Sequence, residues 1–395
     1  MNKKIAFIIP TLRDGGAERV LSNMSINLDD DIDQRILVWD ADGIDYPYKG
    51  ELVDLNLPYS KNLFIKLNNV IKRVFVLKKY KKENKIETSI SHLEGPNIAN
   101  ILSKGDDKVV VCVHNFQSRE RQGIKGYMYK ILMKKLYNKA DLIVCVSRNI
   151  KHDLINNFKL DEDKIQVIYN PFDISKIEHM MNEELEDEYK SIFEKPVVIS
   201  VGRLTNQKAQ WNLIRSFVNV KKSIPDCNLV ILGQGELENE LKDLVKEMDI
   251  EDNVFFLGFQ NNPFKFISRA DVFALTSLYE GFPMCLAEAM ACKTAVISVD
   301  CKSGPREMLA PSTDILEGCN NIEFCEYGVL SPEFNVSLNE MHNKDLGEVE
   351  KMFSDALIKL LQDKELRSKY EQLGKSRVNN FDVSKILSEW LEVFN

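Results

Sequence analysis

Three short stretches carry residues whose types and spacing suit the binding of anions and hydroxyl groups. The first runs Tyr279-Glu280-Gly281-Phe282-Pro283-Met284-Cys285-Leu286-Ala287-Glu288-Ala289-Met290-Ala291. Pro283 fits a first helical turn, and from there to Cys292 the one charge is Glu288, set among apolar or small residues. A helix apolar all round is a buried helix, and a lone carboxylate within it is costly unless partnered. Either a structural ion pair holds Glu288, or the carboxylate is reserved for ligand hydroxyls. Gly281 would let a ligand approach backbone N–H groups, and the helix start adds the positive end of a dipole. The second stretch, Val201-Gly202-Arg203-Leu204-Thr205-Asn206-Gln207-Lys208, places a glycine and two cations directly after an apolar run. Such a cluster suits a diphosphate, with the Arg203 guanidinium able to engage two oxygens at once. The third, Gly15-Gly16-Ala17-Glu18-Arg19, is a glycine turn opening a helix, a common anion cradle and also an ordinary turn.

Around these stretches, β-branched runs alternate with amphipathic ones. Strands are predicted at Ile5–Ile9, Arg35–Trp39, Glu87–Ser91, Val109–Val113, Leu142–Val146 and Ile165–Ile168, with helices at Ala17–Leu28, Leu63–Lys82 and Lys125–Lys135. A polar, acidic segment from Asp173 to Lys195, helical around Glu183–Phe193, separates this half from a second series. That series has strands at Val197–Val201, Leu229–Leu232, Val254–Leu257, Val272–Ala274 and Ala295–Ser298, followed by a helical tail over 345–394. Strand–helix alternation predicts parallel sheets covered on both faces. The expected fold is α/β, two doubly wound Rossmann-like domains facing across a cleft. Their expected bounds are 1–175 and 176–380, with a C-terminal helix at 381–395 packing back toward the N-terminal domain. Ligands of such sheets sit beyond the carboxyl ends of the strands, where all three stretches fall.

The 395 residues exceed what one core usually supports. The eight cysteines form no Cys-x-x-Cys pair, and several lie in apolar runs, which predicts buried free thiols in a reducing cytoplasm rather than disulfides or a zinc site. No apolar run is long enough to span a membrane. Net charge is −8, unevenly shared: residues 1–170 hold 28 Lys+Arg against 22 Asp+Glu, and the remainder 24 against 38. The basic half is expected to meet an anionic surface or substrate.

Four motifs occur in order: Gly15-Gly-Ala-Glu-Arg19, Val201-Gly-Arg-Leu204 with Lys208 five positions after the arginine, Leu232-Gly-Gln-Gly-Glu236, and Glu280-x7-Glu288. Together they resemble retaining glycosyltransferases of family 4, which have the GT-B fold. Ser303-Gly-Pro-Arg-Glu307 further resembles a bacterial subgroup that adds hexose or N-acetylhexosamine units to lipid-linked oligosaccharides, O-antigens and capsules. The resemblance implies catalytic roles for His114, Glu280, Arg203 and Lys208. Glu288 would bind the ribose hydroxyls of the nucleotide; Glu280 would hold hydroxyls of the donor sugar, aided by backbone N–H groups near Phe282–Met284 in the donor-binding segment Gly281, Phe282, Pro283 and Met284. Arg203 and Lys208, beside Gly202, would neutralise the diphosphate, and Gly16 would let the backbone approach it. His114 would lie near the transferred sugar, although a lone histidine after a strand is more often structural. Asn170 occupies an interdomain position where the family often has Asn-Gly and this chain has Asn-Pro; Ser303-Gly304 stands where many members have Gly-Gly. The implied donor is a nucleotide sugar, with uridine diphosphate favoured by the subgroup likeness. Neither a metal nor a further cofactor is expected, and Asp40-Ala41-Asp42 reads as a solvated loop. Competing readings are a GT-B nucleotide-sugar epimerase and a non-catalytic GT-B binding module.

Residues 61–85 carry nine cations, Lys61, Lys66, Lys72, Arg73, Lys78, Lys79, Lys81, Lys82 and Lys85, against one acid, Glu83. Leu63, Leu67, Val70, Val74 and Leu77, with Phe64, Ile71 and Phe75, supply an apolar face at helical spacing. A basic amphipathic helix points to an anionic membrane surface or a lipid diphosphate, with Lys72, Arg73, Lys78 and Lys79 as contact residues. Lys125, Lys130, Lys134, Lys135 and Lys139 add to the same side. The alternative is a domain helix whose lysines are merely solvated. A lipid-linked glycan acceptor and a cytoplasmic, peripheral location on the inner face of the membrane follow as expectations; nucleic acid is not expected, since the positive charge is local and no such motif occurs.

Overall fold

The computed structural model describes residues 3–13, 15–59, 63–120, 123–343 and 345–394, without the side chains of 63–67, 120, 124 and 125. Lys61 and the side chains of Leu63, Phe64, Lys66, Leu67 and Lys125 therefore lie outside the described residues. The chain forms two compact units, Met1–Phe172 with Phe381–Asn395, and Asp173–Asn380. Both are α/β, as the alternation of strands and helices predicts.

The first unit is built on β1 (Lys3–Ile9), β2 (Ile32–Val38), β3 (Glu51–Asp54), β4 (Thr88–His92), β5 (Lys108–Val113), β6 (Leu142–Cys145) and β7 (Ile165–Val167). They form one sheet in the order β3-β2-β1-β4-β5-β6-β7, parallel throughout. Ile5 to Ile9 and Val109 to Val113 are buried, as strands covered on both faces must be. β3, absent from the sequence-based expectation, is a four-residue edge strand with no buried residue. The Val383–Phe394 helix belongs to this unit: Phe172 N–H donates to Phe381 O at 3.0 Å, Val383 N–H to Phe172 O at 2.8 Å, and Lys108 Nζ to Val393 O at 2.7 Å.

The second unit holds β8 (Val197–Val201), β9 (Asn228–Leu232), β10 (Val254–Gly258), β11 (Val272–Leu275), β12 (Ala295–Val299), β13 (Glu323–Phe324) and β14 (Val329–Ser331). Their order is β10-β9-β8-β11-β12-β14-β13, with the short β13 antiparallel. The order reverses between β8 and β11, so the loops leaving those strands diverge to opposite faces and leave a crevice. Helices Gln210–Ser223 and Glu348–Gln362 pack together on one face, joined by a buried ion pair between Arg215 and Glu350. The acidic segment holds a helix at Ile174–Met180, then a short helix at Asp187–Lys190 that runs on as a 3-10 helix through Ser191–Glu194, so the helical stretch expected around Glu183–Phe193 is present but begins at Asp187. All eight cysteines are free. Among the described residues no helix is long and apolar enough to cross a membrane.

Candidate active site

In the second unit the crevice is lined by the segments leaving β8 and β11. Gly202 follows β8 directly and donates its N–H to Leu232 O at 3.0 Å. Gly233, at φ +134°, lies so close that a Cβ would stand 2.0 Å from Gly202 O. Only glycine allows the β8 and β9 loops to touch there, which gives the Leu232-Gly-Gln-Gly-Glu236 motif a structural reason. The chain then turns through Lys208 into the Gln210–Ser223 helix, with Ala209 left-handed at φ 49°.

The β11 segment is clamped to this turn. Leu278 N–H donates to Gln207 O at 2.8 Å, Gln207 Nε2 to Tyr279 O at 3.0 Å, and Thr276 Oγ1 to the carbonyls of Lys208 and Ala209 at 3.2 Å. The consequence is a direct ion pair, Lys208 Nζ to Glu280 Oε1, 2.7 Å. Glu280 is 6% exposed. Burial works against the charged lysine, but the Glu280 carboxylate overcomes it and holds Lys208 above the ordinary lysine range. Arg203 is exposed and makes no ion pair among the described residues. The crevice therefore offers one paired and one exposed cation.

Gly281, Phe282 and Pro283 are buried and Met284 half-buried. Pro283 caps the Met284–Ala291 helix rather than occupying its first turn. Ser303 N–H donates to Glu280 O at 3.1 Å and Ser303 Oγ to Gly281 O at 2.8 Å. Gly304, at φ +99°, leaves room for Pro283: a Cβ would stand 2.5 Å from Pro283 Cδ. The Ser303-Gly304 pair thus fixes the backbone that carries Glu280. Beyond it, Arg306 binds Asp300 at 2.6 Å and Glu323 at 3.0 Å, a network that sequence reasoning missed because the three residues are scattered over distinct elements. Glu288 is 2% exposed on a helix buried along nearly its whole length.

In the first unit, His114 follows β5 and His92 ends β4. Their rings stack with centroids 5.1 Å apart, and His92 Nδ1 lies 2.9 Å from His114 Nε2. Desolvation pushes the His114 imidazole down to about 4; His92, wholly buried beside it, is also held well below the ordinary histidine range, first by burial and then by His114. Both are neutral at pH 7. With Cys112 they bring three potential ligand atoms within 4.8 Å. His92 escaped sequence reasoning, since a histidine closing a buried strand looks like core. Gly16 opens the Gly16–Asn27 helix, and a Cβ there would meet nothing within 4 Å. Asn170 is buried. Asp40 and Asp42 sit in a loop where Asp40 pairs with Arg13 at 3.3 Å and Asp42 O accepts from Arg13 Nε at 2.6 Å.

The basic helix, Leu63–Asn84, differs from expectation in its orientation. Arg73 is not a surface cation: it is 9% exposed, donates through Nε to Leu57 O at 3.2 Å, and lies 5.0 Å over the Trp39 ring. Lys81 is likewise turned inward, 2.9 Å from Asp107. Leu77 and Val74 pack on the core with Ala6, Ile8, Leu37 and Trp39, whereas Ile71 (57% exposed) and Phe75 (69%) point outward on the side of Lys72, Lys78 and Lys79. The expected single apolar face is two faces. Helix Gly123–Tyr137 also exposes Tyr127, Met128, Ile131 and Leu132.

Two family models cover most of the chain: Glycosyltransferase Family 4 over residues 14–176 and Glycosyl transferases group 1 over 181–323. The N-acetylgalactosamine-N,N'-diacetylbacillosaminyl-diphospho-undecaprenol 4-alpha-N-acetylgalactosaminyltransferase of Campylobacter jejuni is 30% identical over 99% of both chains. The chain belongs to glycosyltransferase family 4. A second Campylobacter jejuni transferase, the GalNAc-alpha-(1->4)-GalNAc-alpha-(1->3)-diNAcBac-PP-undecaprenol alpha-1,4-N-acetyl-D-galactosaminyltransferase, is 26% identical over 99% of this chain and 98% of its own. Among solved structures, Anabaena HepE in complex with UDP-glucose superposes with a TM-score of 0.76 at 18% identity, over 99% of this chain and 98% of that one, which shows the GT-B fold. The enzyme is thus a transferase with two parallel-sheet domains, as its motifs imply.

Proposed function

We propose that this family 4 enzyme moves a hexose or N-acetylhexosamine from a UDP-sugar to a polyprenyl-diphosphate-linked glycan, with retention of anomeric configuration and without a metal. The observation that carries the donor half is the Lys208–Glu280 pair set in the β8/β11 crevice beside the exposed Arg203. Two cations placed where a diphosphate gathers charge stabilise the transition state electrostatically, as a metal ion does elsewhere. In this reading Glu280 holds Lys208 in place and accepts from donor-sugar hydroxyls, Glu288 serves the ribose, and backbone N–H groups around Phe282–Met284 assist. By the family resemblance, Gly202 and Gly16 let the backbone approach the diphosphate, Asn170 is assigned to donor binding, and His114 serves the transferred sugar. The acceptor oxygen forms its bond to the anomeric carbon on the face from which the diphosphate leaves. The bonding pair departs with the diphosphate, which takes up the acceptor's proton.

The acceptor half draws on the relatives, whose names specify diphospho-undecaprenol substrates, and on the outward faces of two helices. Ile71 and Phe75 beside Lys72, Lys78 and Lys79, and Tyr127 and Met128 with Lys134 and Lys135, combine exposed apolar side chains with cations. Lysines that were merely solvated would have no need of exposed Phe75 and Ile71, whereas an anionic bilayer suits both. The enzyme accordingly works at the cytoplasmic face of the membrane.

A panel of UDP-hexoses and UDP-N-acetylhexosamines, each incubated with a short polyprenyl-diphosphate disaccharide in EDTA, tests the reading. An α-linked trisaccharide from an α-linked donor is expected. Conversion of the donor to another sugar without acceptor, a β-linked product, or strict dependence on added Mg²⁺ would overturn it.

A further inference from the structure

The parallel pairing of β4 with β5 sets His92 opposite Cys112 and leaves His114 two residues further on, so both imidazoles emerge at the same end of the sheet. The 2.9 Å separation of His92 Nδ1 and His114 Nε2 holds one proton between the two nitrogens. Two neutral arrangements satisfy it. Either His92 Nδ1–H donates and His92 Nε2 is bare, or His114 Nε2–H donates and His92 carries its proton on Nε2.

The surroundings of His92 choose between them. Its Nε2 is buried and has no hydrogen-bond partner among the described residues. A buried N–H without an acceptor is rarer and costlier than a buried bare lone pair. The nearby Cys112 thiol gives no anionic acceptor, because burial holds it in the protonated form. The proton therefore sits on His92 Nδ1. His114, whose Nε2 then accepts, must carry its own proton on Nδ1.

We infer that His92 is a positioning residue that fixes His114 as the neutral Nδ1–H tautomer, so that His114 meets its ligand as a hydrogen-bond donor and not as a base. The inference rests on the reading that His114 serves the transferred sugar. A neutral donor suits an oxygen of that sugar and does not repel a carbon that is becoming cationic. The arrangement parallels metal-bound histidines, whose second nitrogen is fixed by a partner behind the ring.

Long-range proton–nitrogen NMR of the ¹⁵N-labelled enzyme, with His114 assigned by comparison with His114→Phe, reads the tautomer directly. A protonated Nδ1 and bare Nε2 on His114 are expected; the reverse pattern overturns the inference. Kinetically, His92→Phe keeps the ring and removes the donor, and is expected to lower kcat about 10- to 100-fold with donor KM within about twofold. His92→Asn places an amide N–H where Nδ1–H stood and should recover most of the loss. Wild-type kcat in a His92→Phe enzyme that retains its UDP-induced thermal shift overturns the positioning role. If His114→Phe turns over normally while the wild-type NMR pattern is as expected, the tautomer stands and the sugar-site reading falls.

Discussion

Each unit carries a close pair of titratable side chains among its candidate site residues at the carboxyl ends of its strands, and these two pairs answer burial in opposite ways. Lys208 stands 2.7 Å from Glu280 and stays charged. His92 and His114 stand 2.9 Å apart and stay neutral. The difference follows from what each partner supplies. Opposite charges repay part of each other's desolvation, so the ammonium survives where a lone one would give up its proton. Two imidazoles repay nothing by ionising, so burial drives both to the uncharged form. The second unit thus keeps a lysine charged, as the proposed departure of a diphosphate requires, and the first holds a polar but uncharged pair.

The sharpest way to break this contrast is to remove the charge. Lys208→Ala is expected to lower kcat/KM for transfer by about 10²–10³, as loss of a transition-state charge stabiliser does; near-wild-type turnover would remove the pair from the mechanism. The neutral pair makes a prediction in pH. A histidine whose folded pKa lies below its unfolded value leaves the unfolded chain holding more protons between the two. Stability should therefore be level above about pH 7 and fall as pH drops from about 6.5 toward 4, by up to about 3 kcal/mol for His114. Urea denaturation of wild type and a His92→Phe/His114→Phe double variant should show a shallower acid limb in the variant; identical limbs would mean that the folded imidazoles take up protons as readily as the unfolded ones.

The surface assignments rank next. Phe75→Asp with Ile71→Asp should weaken binding to phosphatidylglycerol vesicles at least about tenfold, since each puts a charge the bilayer repels in place of exposed apolar area that the bilayer would cover. UDP binding should not change. Unaltered sedimentation with vesicles would return the helix to simple solvation. Arg73→Ala has the smallest expected effect on binding and the opposite signature: vesicle affinity unchanged, but stability lower by about 1–2 kcal/mol from the lost carbonyl bond and Trp39 contact.

Legibility in the sequence followed the strength of local physics. Glu288 was foreseeable because one carboxylate in an otherwise apolar helix has few places to go, and it is buried. The inner strands were legible for the same reason: continuous β-branched runs have no polar side to hesitate over. β3 was not, being short, polar and at an edge. The Leu63–Asn84 helix misled because apolar and basic residues alternate nearly all round it. Helical spacing then fits two inward faces, and only the Trp39 ring and Leu57 carbonyl, far off in the chain, select the one that takes Arg73 inside. His92 was hidden by distance, its partner lying on the next strand. The pairing of Lys208 with Glu280 was invisible too, although both residues stood out, because nothing local ties position 208 to position 280.

The return of the Val383–Phe394 helix to the first unit has a consequence for biosynthesis. Phe381 and Val383 hydrogen-bond to Phe172, and Lys108 reaches Val393 O. A ribosome makes this helix only after the entire Asp173–Asn380 unit. The second unit can close while its own residues are still emerging, but the first must wait, incomplete, through that whole interval. Its nascent sheet therefore spends longest exposed to chaperones and proteases, although it is the half synthesised first.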